Sequence, residues 1–298
     1  MRYRRRHTTL QEILKLDPKR DNEQISFLSA SYDFPWDTQR ALELALIRTF
    51  AVPNSSKLMV ATREFTERTQ KRYDDTVAII SAIGFHGYSS RVGRRAIKRM
   101  NQIHGRYRIP NDEFLYVLST FVLEPLRWNT RYGWRPHSEH ERQASYYFWA
   151  EVGKYMNIQD IPDSLDALDA FNRDYEQAHF AYHPNNRILA EATETLFLSW
   201  FLPTNASWTR GLQAFGRDAV HCLMDGPMLE AFGYDPPPAW LKRTVERSLD
   251  IRRKLLRGLP ARQSPYTLPP LRSYPDGYSL EQLGPNPPES TTEHPQMG

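Results

Sequence analysis

The sequence predicts an all-α protein, and three observations carry that prediction. Almost every segment with a clear hydrophobic period repeats at helical spacing. Recognisable stops and starts bracket those segments, among them Pro35-Trp36-Asp37, Pro110-Asn111-Asp112, Asp163-Ser164 and Gly258. No stretch shows strand alternation or a hairpin turn, and there is no internal repeat.

Taken in order, Pro35 to Asp37 opens a helix over 38–50 that Pro53 ends, and Ser55 or Ser56 can cap another beginning near Lys57. A helix is expected over 70–83, with a break at 84–90. Helical spacing resumes over 91–107, where Ala96, Met100, Ile103, His104 and Tyr107 share one face. A helix apolar nearly all round follows over 113–128. An amphipathic helix over 137–156 carries Tyr146, Tyr147 and Trp149. Ser164 caps the next, with Leu165, Leu168, Phe171 and Tyr175 on one side. Helices are expected over 187–201 and 208–232, and a last one over 239–257, closed by Gly258.

Three regions are expected: a basic arm over 1–21, one helical domain over 22–258, and a Pro-rich disordered tail over 259–298. Nine of the 22 prolines fall between Pro260 and Pro295, with few apolar residues among them. Such a composition buries little surface to offset the entropy of ordering.

Composition excludes several functions. The formal charge is only +4, with acids and bases interleaved and no aromatic-plus-basic module, so no nucleic-acid partner is expected. The single cysteine, Cys222, forbids an internal disulfide framework or a cysteine zinc finger. No apolar run reaches the roughly 18 residues that span a bilayer. The nearest, residues 41–52, carries Glu43 and Arg48. The helix over 239–257 sets Leu241, Val245, Leu249 and Leu255 beside Lys242, Arg243, Arg247, Arg252 and Arg253. That pattern allows a peripheral membrane contact.

The chemistry centres on His104, a lone histidine on the apolar face of a basic helix. Such a residue suits a haem iron, although a hydrogen-bonded core histidine is the commoner outcome. Arg72 and Thr76 stand at i and i+4, so a helix stacks an arginine and a hydroxyl on one face. They could steer oxygen or hold a carbonyl. The plainer reading pairs Arg72 with Asp75 or Glu67. Two carboxylate-x-x-His words, Glu176 to His179 and Asp218 to His221, have the spacing of helical di-iron proteins. His137-Ser138-Glu139-His140-Glu141 could offer zinc ligands, but reads better as a solvated helix start.

Several words together resemble a known family: FPWDTQRALELALIRTFAVPNSSKLMVAT, KRYDDT, RRAIKRMNQIHGRYRI, NDEFLYVLSTFVLEPLRW and RYGWRP, with weaker ETLFLSWFLP and VHCLMDGPMLEAFGY. They resemble the fungal endoplasmic-reticulum-bound oxygenases of the MpaB type, and with them the bacterial rubber oxygenases. The resemblance spans about residues 25–258. It implies a globin-like domain holding one haem b, with His104 as proximal ligand to its iron and Arg72 and Thr76 on the distal side. It further implies O2 as co-substrate and an apolar, isoprenoid-like small molecule of secondary metabolism, oxidised or cleaved at a carbon–carbon double bond.

Where the rubber enzymes have a distal lysine, this sequence has Asp75, and no residue matches their catalytic glutamate. Glu124 invites that role but is expected to be a structural partner of Arg127, Arg131 or another cation. The fungal relatives place a membrane helix ahead of an RYRR-like word, at which this sequence opens. A place in the cytoplasm or on the cytoplasmic face of the endoplasmic reticulum is expected. The alternatives are a non-catalytic haem- or lipid-binding relative and a non-haem di-iron oxygenase.

Overall fold

The computed structural model describes residues 7–203 and 210–285. Among the described residues the chain forms fourteen α-helices and no strand, in agreement with the all-α expectation. In chain order they are α1 (Thr8–Ile13), α2 (Asn22–Leu28), α3 (Pro35–Thr49), α4 (Pro53–Ala61), α5 (Glu64–Glu67), α6 (Thr69–His86) and α7 (Arg91–His104). There follow α8 (Asn111–Arg131), α9 (Glu139–Tyr155), α10 (Leu165–His179), α11 (Pro184–Ser199), α12 (Arg210–His221), α13 (Gly226–Phe232) and α14 (Ala239–Gly258). A π-helical turn, Ser29–Asp33, joins α2 to α3.

The helix starts follow local chemistry. Pro35, Pro53 and Pro184 stand at the first turns of α3, α4 and α11, where a missing N–H costs nothing. Ser90 and Ser164 accept from the backbone N–H groups of Gly93 and Ala167. Ser138 and Glu141 form a reciprocal capping box at the start of α9. α6 runs through Gly84 to His86 and stops at Gly87, whose φ of 79° favours glycine. α7 then folds back so closely that a Cβ on Gly93 would lie 1.9 Å from the Gly87 carbonyl oxygen. This turn makes α6 and α7 an antiparallel pair, which brings Arg72, early in α6, beside His104, last in α7.

Three apolar clusters hold the helices together. Phe50, Phe65, Leu189, Met228 and Phe232 join α3, α5, α11 and α13. Leu118, Val122, Tyr146 and Leu168 join α8, α9 and α10. Ala78, Ile83, Ile97 and Phe148 join α6, α7 and α9, and this cluster also takes in Leu271 and Leu283. Arg48 of α3 is buried between Glu124 of α8 (3.3 Å), Glu176 of α10 (3.1 Å) and Asp225, the N-cap of α13.

The region boundaries differ from expectation at both ends. From residue 7 the expected arm is part of the body, because α1 buries Ile13 against Ile25 and Ala144. The tail expected to be disordered from 259 is folded through residue 285, and residues 286–298 lie outside the described residues. Its few apolar side chains suffice because they are placed at intervals: Ala261, Leu271 and Leu283 are buried. The helix expected over 208–232 is two helices, interrupted where Asp225 caps and Pro227 starts α13. Trp208 lies outside the described residues.

Candidate functional site

Arg72 and Thr76 meet as their spacing requires. The guanidinium donates through Nη1 to Thr76 Oγ1, and that hydroxyl donates to the Arg72 carbonyl at 3.0 Å. The plainer pairing for Arg72 does not occur. Asp75 goes to Lys71 at 2.9 Å and Glu67 to Arg63 at 3.7 Å, and among the described residues Arg72 has no carboxylate in ion-pair range. Its charged group lies instead over the Phe65 ring, 4.9 Å from the centroid. Burial pulls the Arg72 pKa below the usual arginine value, while Asp75 and Glu64 oppose that shift.

His104 is half-buried beside Phe114, the ring centroids 5.4 Å apart. Its Nδ1 is buried without a hydrogen-bond partner among the described residues. Burial first, and the charge of Arg72 second, bring its pKa down to about 4, so the ring is neutral near pH 7. A buried polar nitrogen without a partner is costly and calls for an explanation. A neutral imidazole with a free nitrogen is also the form in which histidine binds a metal.

An apolar cavity of about 200 Å³ lies between α2, α3, α6, α8 and α9. Thr76 is part of its wall; His104 and Arg72 are not, so Thr76 is the residue common to the cavity and the His104–Arg72 end. Phe121 and Pro125 face it from α8. Pro125 lacks the N–H that would bond the Phe121 carbonyl, a break that a helix interior seldom carries.

Two polar clusters reach the cavity that sequence reasoning did not find. Glu43 is buried in the wall, accepting from Tyr73 Oη and Arg40 Nη2, both at 2.6 Å. Burial raises its pKa against the pull of Arg40 and Tyr73. His137 lines the cavity instead of forming a solvated helix start. Its ring lies 4.8 Å from that of Phe34, and Asn129 Nδ2 is 3.3 Å from His137 Nε2. Burial brings His137 down to about 4. Glu141 behind it, although burial pushes it up, is held at about 2 by hydrogen bonds from Arg135. Arg135 and Glu141 are near neighbours of His137 in the chain, but Phe34, just before α3, and Asn129 of α8 are not, so the local pattern alone does not show that the ring is enclosed.

Other sequence candidates are accounted for. Glu124 accepts from Arg127 at 2.8 Å and faces Arg48, the structural role expected of it. Glu176 is held by Arg48 and Tyr116, and His179 bonds the Tyr175 carbonyl. His221 pairs with Glu194 at 3.1 Å. The two carboxylate-x-x-His words thus serve different neighbourhoods. Among the described residues no three His, Cys, Asp or Glu side chains gather as ligands. A haem iron needs one protein imidazole and not three such ligands, so that absence does not bear on a haem.

Fold and site together define an all-helical domain with an apolar cavity and, beside Arg72, a partly buried imidazole whose Nδ1 has no partner among the described residues. The chain matches, over residues 39–258, the family described as ER-bound oxygenase mpaB/B'/Rubber oxygenase, catalytic domain, and it belongs to that family. It is similar to the ER-bound oxygenase mpaB' of Penicillium brevicompactum, 27% identical over 230 residues, covering 71% of this chain and 53% of the relative. It is also similar to the ER-bound oxygenase mpaB of Penicillium roqueforti (strain FM164), 28% identical over 193 residues, covering 59% of this chain and 65% of the relative. The chain therefore spans about half to two thirds of these relatives' length.

Proposed function

We propose that this domain is a haem-b-dependent oxygenase that uses O2 to oxidise or cleave a carbon–carbon double bond in an apolar, isoprenoid-like small molecule. The observation that carries this reading is His104, a neutral imidazole whose buried Nδ1 lacks a partner among the described residues, set beside an arginine that forms no ion pair among them. His104 would hold the iron. When bound, haem supplies the activation of dioxygen.

The chain's own residues do the rest. Thr76 presents its hydroxyl on the cavity wall, and Arg72 fixes the position of that hydroxyl. Arg72 brings a positive charge that, among the described residues, no carboxylate pairs with directly, though Asp75 and Glu64 act on it from further off; it suits a polar or anionic group drawn in near His104. The apolar walls exclude water and receive the hydrocarbon by burial of its surface.

Membership of a family whose members are named oxygenases supports the reaction class. A lipid surface is the natural source of such a substrate, and α14 has a face for one. Trp240, Ile251 and Leu255 are 60%, 57% and 66% exposed on a stripe shared with Arg243 and Arg247. Among the described residues no helix is long and apolar enough to cross a membrane. We place the domain at the cytoplasmic face of a membrane such as that of the endoplasmic reticulum.

The test is the absorption spectrum of protein produced with haem supply, beside His104→Ala, Arg72→Ala and Thr76→Ala. A Soret band is expected in the parent and lost or shifted in His104→Ala. Arg72→Ala and Thr76→Ala should keep the band and lower turnover of a prenylated substrate. Unchanged haem content and turnover in all three variants would refute the assignment.

A further inference from the structure

The residues from 259 to 285 contain one short 3₁₀ turn, Leu280–Gln282, yet they are tied down at closely spaced points. Tyr266 N–H donates to the Ser31 carbonyl at 2.9 Å. Ser273 N–H donates to Asp74 Oδ2 at 2.8 Å, and Tyr274 Oη donates to Asp75 Oδ1. Lys71 donates to both Asp75 and the Gly284 carbonyl, and Arg99 to the Leu283 carbonyl. Asp74 and Asp75 are both buried in α6, directly before Thr76. Between the Ser31 and Asp74 anchors the segment passes over the cavity, and Tyr266 and Leu268 become part of its wall.

Beside it in the wall is α6, whose Phe85 ring lies 6.4 Å from that of Tyr266 and whose cavity face carries Thr76, Ile80 and Gly84 at helical spacing. Thr76 and Gly84 are eight positions apart, so this face runs about 12 Å along the helix. Gly84 lies within the helix, where glycine is a poor helix former, and its φ is not in the region that requires glycine. A Cβ built on it meets nothing within 4 Å. Neither backbone conformation nor close packing accounts for the missing side chain. What remains is the open space it leaves in the cavity wall.

We infer that the C-terminal segment determines substrate specificity: Gly84, Tyr266 and Leu268 form the far end of a slot that receives the hydrocarbon tail of the substrate and limits its length. Thr76 marks the near end. This inference rests on the apolar, isoprenoid-like substrate class proposed above. It adds a boundary contributed by residues 266–268, and it assigns Asp74 and Asp75 the task of holding that boundary in place.

The experiment measures binding, so it does not depend on turnover. The dissociation constants of geraniol, farnesol and geranylgeraniol are determined by calorimetry for the full chain, for Leu268→Ala and for Gly84→Leu. Leu268→Ala opens the slot and should shift the preference toward geranylgeraniol by about tenfold relative to the parent. Gly84→Leu fills it and should shift the preference toward geraniol by a similar factor. Gly84→Leu replaces a poor helix former with a good one, so it stays informative if Leu268→Ala fails to fold.

Unchanged relative affinities in folded variants would overturn the slot while leaving the oxygenase reading intact. Absence of binding by the parent to all three alcohols would overturn the slot and the isoprenoid substrate class together. The Soret test of His104 would still decide haem binding independently.

Discussion

Replacing Arg48 with Met should cost the protein about 4 kcal/mol at pH 7, because breaking a buried ion pair from one side costs roughly 3–5 kcal/mol. Arg48 is 6% exposed, and Glu124 and Glu176 around it expose only 4% and 15% of their side chains. Asp225 is 43% exposed on the same measure and adds little. At roughly 2–4 °C per kcal/mol for a chain of this size, the melting temperature should fall by about 10 °C.

The sign of the pH dependence is fixed too. Burial already raises the pKa of Glu176, and Arg48 is the main force opposing it. In the variant its folded pKa rises further above the unfolded value. The folded state then keeps its proton in acid and is penalised as pH rises through the unfolded pKa and beyond. The gap between parent and variant should therefore be largest at neutral pH and narrow toward pH 5. Urea unfolding across that range measures it. Glu124→Gln serves as a comparator: it should cost less, since Arg48 keeps Glu176 and Asp225, and it should leave turnover per folded molecule unchanged. An Arg48→Met variant within about 1 kcal/mol of the parent at pH 7 would refute the reasoning, as would a gap that widened in acid.

Two further outcomes are expected. Stability of the parent should decline in two overlapping steps on acidification. His137, brought down to about 4, lets the unfolded chain take a proton first as pH falls below its ordinary value near 6.5. Glu141, held at about 2, contributes stability present above the ordinary 4.5 and lost as pH falls toward 2. Urea midpoints for His137→Gln should flatten the upper step by up to about 3 kcal/mol and leave the lower one, while equal slopes in parent and variant would remove His137 as the cause. On the exposed face of α14, Arg243→Glu with Arg247→Glu should abolish flotation with vesicles containing anionic phosphatidylserine but not alter the melting temperature. Flotation unaffected by the double change would mean that α14 is not the lipid-facing element.

Most of the helices were legible because the signals for them are local. Ser164 three residues before Ala167, or Ser90 before Gly93, is a cap written in adjacent residues, and the structure uses both. The Arg72–Thr76 contact was legible for the same reason, since i and i+4 must meet on any helix. The division at Asp225-Gly226-Pro227 was written just as locally, as a cap residue followed by a first-turn proline. A single period over 208–232 obscured it.

What could not be read was decided by residues far apart in the chain. His137 looked solvated among Ser138, Glu139 and His140, yet Phe34 and Asn129 enclose it. The Pro-rich segment after 259 has too few apolar residues to form a core alone. Leu271 and Leu283 instead join a core already made by α6, α7 and α9. Composition measures the first possibility and is blind to the second.

Asp75 shows how the two kinds of information meet. Its sequence position, one residue before Thr76, invites comparison with a distal lysine and makes it look like a defect in the site. A helix turns about 100° per residue, so neighbours on α6 face different surroundings. Thr76 lies on the cavity wall, while Asp75 is turned to Lys71 and to Tyr274 of the C-terminal segment. The acid is held by these partners and is not itself part of the cavity wall. Exchanging a lysine for an aspartate here would therefore alter the hold on the C-terminal segment as well as the charge acting on Arg72. On this argument the C-terminal segment and the residue before Thr76 are parts of one arrangement, and a substitution at either should be read through the other.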